Sequence, residues 1–572
     1  MDPITDGEKR GASGSATSLL EPEIHHQAHR KSWFAWFDCP LTGTWCVVWW
    51  LVATLLFVGL VWILGGAHIG DSAESTYSTW AIAHGDLACA YPPGSSFNFP
   101  WAYTPGPFIA PLWPLVSGGL AAVTGIGHHA AFPSQSALGP GCSTALVAMY
   151  RWSVRSGAAT QTPQLGYVAW LMLMAGAVAL LRACGRGRCR WEPAALVMLA
   201  CAPPVWMPLL QFFHPQDIMA TGLALGALAC VRRDRWVWAG VLVGLALTSQ
   251  QFALLVLAPL IVVVPQKFRA RFVGATMATL ALVEVPLLAI TSGRALRAMV
   301  LGASNSTVVG QMLRLESHVP LGVLVALARG LPIILSATVA WCALRRLGPA
   351  VREPLPLLSL VATSFSLRLV FEVNFLYYFM PLAVSLVLMD VIRRRIRWYL
   401  VIWMVLVTLA FGFNSWDFDP TTQPWGLHWR VVLALSLLAA ALAVVLVEAV
   451  RARVRWSVVA SLVVAGLAVA NLPPRGTDGV LHPLPDWLWM LTLLVAGIVM
   501  AVEPLFSLAL SRSSRTWHQS GPARIGQASP EAEKPTSWAR SALPRPAALG
   551  YVARTATGLG EESGDSGRVP AL

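Results

Sequence analysis

A histidine and a carboxylate lie three residues apart at the start of an apolar segment, in the sequence HPQD at 214–217. Proline suits the first turn of a helix, where its missing N–H has no partner to lose, so a helix is predicted to begin at Pro215. The free N–H groups at a helix start bind anions, and His214 adds a side-chain donor. His214 is therefore a candidate for holding a phosphate group. The alternative is an ordinary helix start, in which Asp217 stabilises the positive helix end.

Two carboxylates, Asp71 and Asp86, belong to segment 68–107, which contains no Lys or Arg. Either can act as a general base that takes a proton from a hydroxyl group. Asp71 is preferred because it directly follows the first long apolar segment. Each has a structural alternative: Glu74 stands at capping-box spacing from Asp71, and Gly85 is a residue type that ends helices just before Asp86.

Further polar or aromatic side chains stand at the ends of apolar segments, where ionisable groups are costly and suggest function: His318, Gln250, Gln251, Arg368 and Tyr377. His318 is assigned to stabilising Asp71 or contacting phosphate, and otherwise lies solvated in a loop. Arg368 either clamps a phosphate or forms a structural ion pair with Glu372, four residues later. Glu284, alone in its apolar segment, is interpreted as a hydrogen-bonded core carboxyl.

The composition indicates that these residues belong to a membrane protein. Hydrophobic residues make up 56% of the 572 positions and charged residues only 12%, a balance that a soluble domain does not have. The net charge of +13 comes from short clusters between apolar segments, which excludes a nucleic-acid-binding stripe and marks cytoplasmic loops. These clusters lie at 182–190, 232–235, 267–271, 345–352, 393–397 and 451–455.

Placing every basic cluster in the cytoplasm predicts an all-α polytopic membrane protein with about 11–14 transmembrane helices and both termini inside. The predicted spans are 45–67, 164–182, 193–209, 216–231, 236–249, 252–264, 272–290, 320–344, 353–367, 375–390, 398–413, 430–449, 456–472 and 487–510. Segment 107–127 is apolar enough to cross, but a crossing would turn every later cluster outward. It is therefore predicted to be an interfacial or re-entrant helix in an extracytoplasmic first loop, 68–163.

This topology predicts that the chain divides into four parts. A polar cytoplasmic segment, 1–44, precedes the main transmembrane module, 45–400, and further transmembrane helices fill 401–510. The tail, 511–572, is rich in Ser, Pro, Gly and charge and is predicted to be a disordered cytoplasmic segment.

The nine cysteines show no metal-binding spacing. Cys184 and Cys189 flank a basic loop in CGRGRC and are predicted to be free thiols rather than zinc ligands. Cys89 and Cys142 fall in segments placed outside, so a disulfide between them is compatible with the topology. The sequence leaves open whether the two are bonded.

The order of these motifs resembles the GT-C class of polyprenol-phosphate-sugar glycosyltransferases. An outer Asp follows the first span; then come HGDLACAYPP, then YTPGPF before the interfacial segment, then HPQDIMATGLALGALACVRRDRWVWAGVLVGLALTSQQFALLVLAPL. The likeness covers roughly 45–400 and is greatest to the bacterial branch that uses polyprenyl-phosphate mannose and includes the phosphatidylinositol-mannoside enzymes. Two features depart from the class: Gln250–Gln251 stands where some members carry a basic residue, and 128–163 is an insertion-like stretch.

The resemblance implies transfer of a hexose, mannose in first place, from a polyprenyl-phosphate donor to a lipid or glycan acceptor on the extracytoplasmic face, with inversion. It implies Asp71 as general base with His318 beside it, Asp86 as the alternative base, and no metal or cofactor. Donor phosphate and sugar would contact His214, Asp217, Arg368, Gln250, Gln251 and Tyr377, with Asp217 orienting either His214 or the sugar hydroxyls. The alternative is a multi-pass transporter or lipid flippase, which the short segments 236–249 and 252–264 would suit as broken helices.

Overall fold

The computed structural model describes residues 33–64, 69–91, 110–125, 164–209, 213–293, 321–371, 376–413 and 493–508. Over these ranges the chain is helical and contains no strand, apart from an isolated bridge between Pro40 and Cys189. The α-helices are α1 Gly43–Leu64, α2 Ile69–Ala83, α3 Leu112–Thr124, α4 Tyr167–Ala183, α5 Trp191–Cys201, α6 Pro203–Met207, α7 Pro215–Arg232, α8 Trp236–Ser249, α9 Leu254–Val263, α10 Gln266–Ile290, α11 Leu321–Leu347, α12 Pro354–Phe371, α13 Met380–Ile392, α14 Trp398–Phe413 and α15 Leu493–Leu508. The predicted all-α class is confirmed for this part of the chain.

Three of the described helical segments are long and apolar enough to cross a membrane: Gly43–Trp62, Gln266–Ile290 and Arg329–Arg352. Most other apolar helices are shorter, at 10–17 residues, because prolines and loops divide the apolar sequence. The predicted span 193–209, for example, is broken at Ala202, whose backbone is extended before Pro203. A membrane protein is thus supported, while the count of 11–14 spans stays a prediction. The segments 430–449 and 456–472, most of 1–44 and the tail 511–572 lie outside the described residues.

The first loop contains the two short helices expected there. Helix α3 has 13 residues and is therefore about 20 Å long, less than the roughly 30 Å of a hydrocarbon core. It begins at Leu112, later than the apolar segment, and ends at a left-handed Gly125 (φ 68°). Its length agrees with an interfacial or re-entrant helix, and its place relative to the membrane stays a prediction.

The basic loops meet at one end of the helix bundle, here called the arginine end. Arg186 donates to the carbonyl of Ile392 over 3.2 Å, and Arg232 donates to the carbonyl of Arg352 over 2.7 Å. Arg352 in turn donates to the carbonyl of Val263 over 2.9 Å. Five of the basic clusters, directly or through a neighbouring helix end, therefore lie at one end of the bundle.

A buried charge network closes the arginine end between α13, α14 and α15. Arg397 is paired with Asp390, which is fully buried and also accepts from the Arg397 backbone N–H over 2.7 Å. Glu503 lies 3.1 Å from Arg397 and 3.3 Å from Arg393. Removing one partner of such a pair leaves an uncompensated buried charge. The pairs therefore keep these helix ends in one arrangement.

Helices α4 and α7 approach so closely that their backbones touch at two glycines. A Cβ added at Gly176 would stand 2.0 Å from the carbonyl oxygen of Gly222, and one added at Gly222 would stand 2.5 Å from the carbonyl oxygen of Met172. Small residues permit this kind of packing between helices in membranes. The contact fixes α7, which carries HPQD at its start.

Replacing Gly222 with alanine is expected to destabilise the protein by about 1–3 kcal/mol, the usual cost of overpacking, even though alanine is the better helix former. Gly274→Ala is the matched control, since a Cβ there meets no atom within 4 Å. Thermal unfolding of the detergent-purified variants measures both. Equal melting temperatures for Gly222→Ala and the control would show that the helices are farther apart.

Candidate functional site

The site is built around the start of α7. His214 is the N-cap residue and Pro215 takes the first helical position, so the predicted helix start is confirmed. The His214 ring nitrogen Nδ1 lies 2.8 Å from Nε2 of Gln216 and 3.7 Å from Oδ2 of Asp217. Asp217 is fully buried and Gln216 is nearly so. A buried polar group thus surrounds one nitrogen of the His214 ring.

Helix α12 brings Arg368 to this group from 151 positions further along the chain. Its Nη1 lies 4.0 Å from Oδ1 of Asp217, and its guanidinium lies 3.8 Å from the Tyr378 ring centre and 4.8 Å from that of Phe252. Arginine favours such carboxylate and aromatic neighbours because its planar cation is weakly hydrated. We call this set the HPQD cluster: His214, Gln216, Asp217, Phe252, Arg368 and Tyr378.

The HPQD cluster bears on the sequence-based interpretations of Arg368 and Asp217. Arg368 pairs with Asp217, whereas the expected partner Glu372 lies outside the described residues. Asp217 has no exposed surface, while the side chains of Arg368 and His214 are 6% and 17% exposed. The burial of Asp217 rules out direct contact with sugar hydroxyls in this conformation. Asp217 lies 3.7 Å from the His214 ring and 4.0 Å from Arg368, so orienting His214, one of the two roles predicted for it, stays a prediction.

The turn between α8 and α9 lies against the same cluster. Ser249 donates to the backbone carbonyl of Gln216 over 2.9 Å. Gln250 accepts from the backbone N–H of Gln251 over 3.1 Å and thereby caps the short 3-10 helix Gln251–Ala253. The structure therefore brings the two glutamines to the end of the bundle where HPQD lies, with the Gln250 carbonyl already engaged in capping.

Helices α2 and α3 reach the cluster through Trp113. Its indole N–H donates to Ser75 over 3.0 Å, and its ring centre lies 6.3 Å from that of Phe213, the residue before His214. The hydroxyl oxygens of Thr79 and Ser117 lie 2.7 Å apart. Because the two contacts follow each other in the same order along both helices, α2 and α3 run in the same direction. Their N-terminal ends therefore lie on the side of His214.

This arrangement separates the two candidate bases. Asp71 is the third residue of α2, so the alternative in which it caps the helix is wrong, and it stands one turn before Ser75. Asp86 lies beyond the other end: Gly85 adopts φ +77°, and the Asp86 backbone N–H donates to Ala81 over 2.8 Å. The helical stretch from Asp71 to the end of α2 is about 18 Å long. Asp71 thus belongs to the helix end near His214, and the predicted helix stop at Gly85 is confirmed.

Three residues of this region were missed in the sequence. Phe213 has a left-handed backbone, with φ +51°, and is buried; this conformation is unusual for an aromatic residue and is found mostly where the surroundings enforce it. Phe252 and Tyr378 contact Arg368, and the sequence analysis assigned neither of them to the site. An aromatic residue in an apolar sequence carries no local signal for such a contact.

Glu284 differs from its interpretation as a hydrogen-bonded carboxyl. It is buried, and neither carboxylate oxygen has a hydrogen-bond partner among the described residues. The pKa of the Tyr91 phenol is raised well above its usual value, mainly by burial and to a smaller extent by the charge of Glu284. The carboxyl therefore lies near the last described residue of the first-loop segment 69–91.

Other sequence predictions fall partly or wholly outside the description. His318 and Cys142 lie outside the described residues, and Tyr377 is described only as part of the 3-10 helix Leu376–Phe379. Cys89 is disulfide-bonded, which agrees with an oxidising, external location for this segment. Cys184 and Cys189 are free thiols, as predicted.

No protein-family model matches the chain, and no curated protein matches it.

Proposed function

We propose that the chain is an integral membrane glycosyltransferase that transfers a hexose from a polyprenyl-phosphate carrier to a lipid or glycan acceptor. Mannose is the first candidate sugar, from the resemblance of the sequence motifs to the GT-C class. The transfer takes place on the extracytoplasmic side, at the HPQD cluster. No family match contributes to this proposal, which rests on the cluster and on the motif order.

The observation that carries the proposal is the position of the HPQD cluster at the end of the bundle opposite the arginine end. Helix α7 starts next to His214 and ends at Arg232, about 27 Å away. A transporter would place its polar residues near the middle of the membrane, in interrupted helices. A lipid-linked donor, by contrast, presents its phosphate and sugar at the membrane boundary, where this cluster would meet them.

The HPQD cluster combines three features suited to a phosphate group. His214 stands at the start of α7, where free N–H groups and the helix dipole favour an anion. Gln216 and Asp217 face its Nδ1, so the proposal assigns Nε2 to a phosphate oxygen. Arg368 adds a positive charge to the site. In the absence of donor, the carboxylate of Asp217 neutralises this charge.

The reaction needs one base and a site for the departing phosphate. Asp71 takes the proton of an acceptor hydroxyl, whose oxygen attacks the anomeric carbon of the donor sugar. The bond between that carbon and the phosphate oxygen breaks, and polyprenyl phosphate leaves with the electron pair, stabilised by His214 and the helix start. A single displacement of this kind inverts the anomeric configuration.

The second candidate is a transporter or lipid flippase. It is favoured by the short helices α8 and α9, which have 14 and 10 residues and meet in a turn beside the HPQD cluster. A hairpin of this length does not cross a hydrocarbon core unaided. The two candidates differ in their product: a transporter returns the lipid-linked sugar unchanged, whereas a transferase splits it.

The membrane side of the site is tested by cysteine labelling in a chain whose exposed cysteines Cys39, Cys201 and Cys342 are replaced by serine. Ser72→Cys, next to Asp71, is expected to react with a membrane-impermeant maleimide added from outside. Arg394→Cys, at the arginine end, is expected to react only after permeabilisation. The reverse pattern would place the HPQD cluster in the cytoplasm and contradict the proposed chemistry.

His214→Ala is expected to raise the apparent KM for the lipid-phosphate donor about ten- to a hundredfold, and to lower turnover less. A hydrogen bond to a charged group is worth about 1.5–3 kcal/mol, and phosphate is bound in both the ground state and the transition state. Steady-state kinetics with varied donor measure this. His84→Ala is the control, since His84 lies at the far end of α2. An unchanged donor KM in His214→Ala would leave HPQD as a helix start only.

A further inference from the structure

A groove lies at the arginine end, on the surface of α1 and α4. It encloses a cavity of about 360 Å³. The residues that line it are Trp50 of α1, Met174, Ala175, Val178, Ala179 and Arg182 of α4, and Arg233 just after α7. None of them belongs to the HPQD cluster, which lies at the opposite end of α7.

The floor of the groove is an apolar strip that ends in a cation. Met174, Val178 and Arg182 are spaced by four, so they follow one face of α4. The strip from Met174 to Arg182 is about 12 Å long. An apolar chain can lie along it with a charged head at the Arg182 end.

The two arginines at this end are in different electrostatic situations. Arg182 donates twice to Glu192, over 3.1 and 3.0 Å, and its guanidinium lies 5.1 Å from the Trp50 ring centre. Arg233 is exposed. Arg182 and Arg233 both line the groove, which places two guanidinium groups at its mouth.

We infer that this groove binds one anionic glycerophospholipid. Its phosphate lies between Arg233 and Arg182, and one acyl chain runs along Met174 and Val178. Basic pockets between membrane helices on the positively charged side suit acidic headgroups, and the apolar floor distinguishes a lipid from a free phosphate ion. The site is separate from glycosyl transfer, so either proposal can fail without the other.

Thermal unfolding of the full chain in neutral detergent tests the inference. Phosphatidylglycerol is compared with phosphatidylcholine of the same acyl chains and with glycerol 3-phosphate, each over a concentration series. Phosphatidylglycerol is expected to raise the Tm by about 2–4 °C near saturation, and the other two by much less. Equal shifts for both phospholipids, or an equal shift with glycerol 3-phosphate, would overturn the proposal.

Two variants locate the effect. Arg233→Gln is expected to remove most of the shift caused by phosphatidylglycerol, whereas Arg235→Gln, an exposed arginine of the same loop outside the groove, is expected to keep it. Ala179→Trp fills the apolar strip and is expected to abolish the shift, with Leu282→Trp on the exposed face of α10 as its control. A full shift in Arg233→Gln would contradict the assignment, even if Ala179→Trp failed to fold.

Discussion

The Asp71→Asn variant is expected to fold and to bind the lipid donor, and to lose sugar transfer by about two to four orders of magnitude, the scale of a lost general base. Asparagine keeps the shape of aspartate and cannot accept the acceptor proton. Asp71 stands in the first turn of α2, at the helix end that Trp113 connects to Phe213 and His214. The loss should therefore appear in kcat, with little change in the donor KM.

Asp86→Asn is the matched control, because Asp86 lies beyond the opposite end of the same helix. It is expected to retain most of the turnover. Initial rates at saturating donor distinguish the two variants, and circular dichroism checks that both remain helical. Normal turnover in Asp71→Asn with loss in Asp86→Asn would move the role to Asp86. Normal turnover in both would contradict a carboxylate base in this segment.

Arg368→Met is expected to lower the free energy of unfolding by about 3–5 kcal/mol, because it removes the guanidinium group that pairs with the buried carboxylate of Asp217. The double variant Arg368→Met/Asp217→Leu removes both charges and is expected to recover most of this loss. Arg346→Met, at an exposed arginine of α11, serves as the control for removing a positive charge. Thermal or denaturant unfolding measures all three.

The double variant also separates a structural pair from a phosphate site. If Arg368 and Asp217 only hold α7 against α12, the recovered protein should bind the donor as wild type does. The proposal predicts instead that its donor KM stays raised, because Arg368 adds charge to the phosphate site and Asp217 orients His214. A single variant as stable as wild type would show that the 4.0 Å pair is not formed.

Local sequence signals predicted the ends of several elements. Pro215 marked the start of α7 because its conformation suits a first helical turn, and Gly85 marked the end of α2 because it adopts a left-handed backbone at low cost. The arginine clusters indicated which helix ends lie together, and contacts such as Arg232 with Arg352 bear this out. Each of these signals acts within a few residues or through the charge of a whole loop.

Such local signals could not predict which residues are in contact with each other within the site. Asp217 and Arg368 meet only because the start of α7 lies beside the end of α12, and nothing near either residue in the sequence specifies the other. Helical spacing offers Glu372 as a local partner, one of the two alternatives for Arg368, and Glu372 lies outside the described residues. The left-handed Phe213 and the ring of Phe252 likewise depend on tertiary packing, which overrides local preference.

The proposed function requires that the chain splits a polyprenyl-phosphate sugar and passes the sugar to an acceptor. The direct measurement uses purified protein in liposomes with radiolabelled polyprenyl-phosphate mannose and a membrane lipid extract as acceptor, in parallel with the glucose and arabinose forms of the donor. We expect label to move from the donor to a new lipid or glycan product, most rapidly from the mannose donor, and we expect Asp71→Asn to prevent this transfer. Label that only changes leaflets, still attached to its polyprenyl phosphate in every case, would contradict the proposed function and favour a flippase.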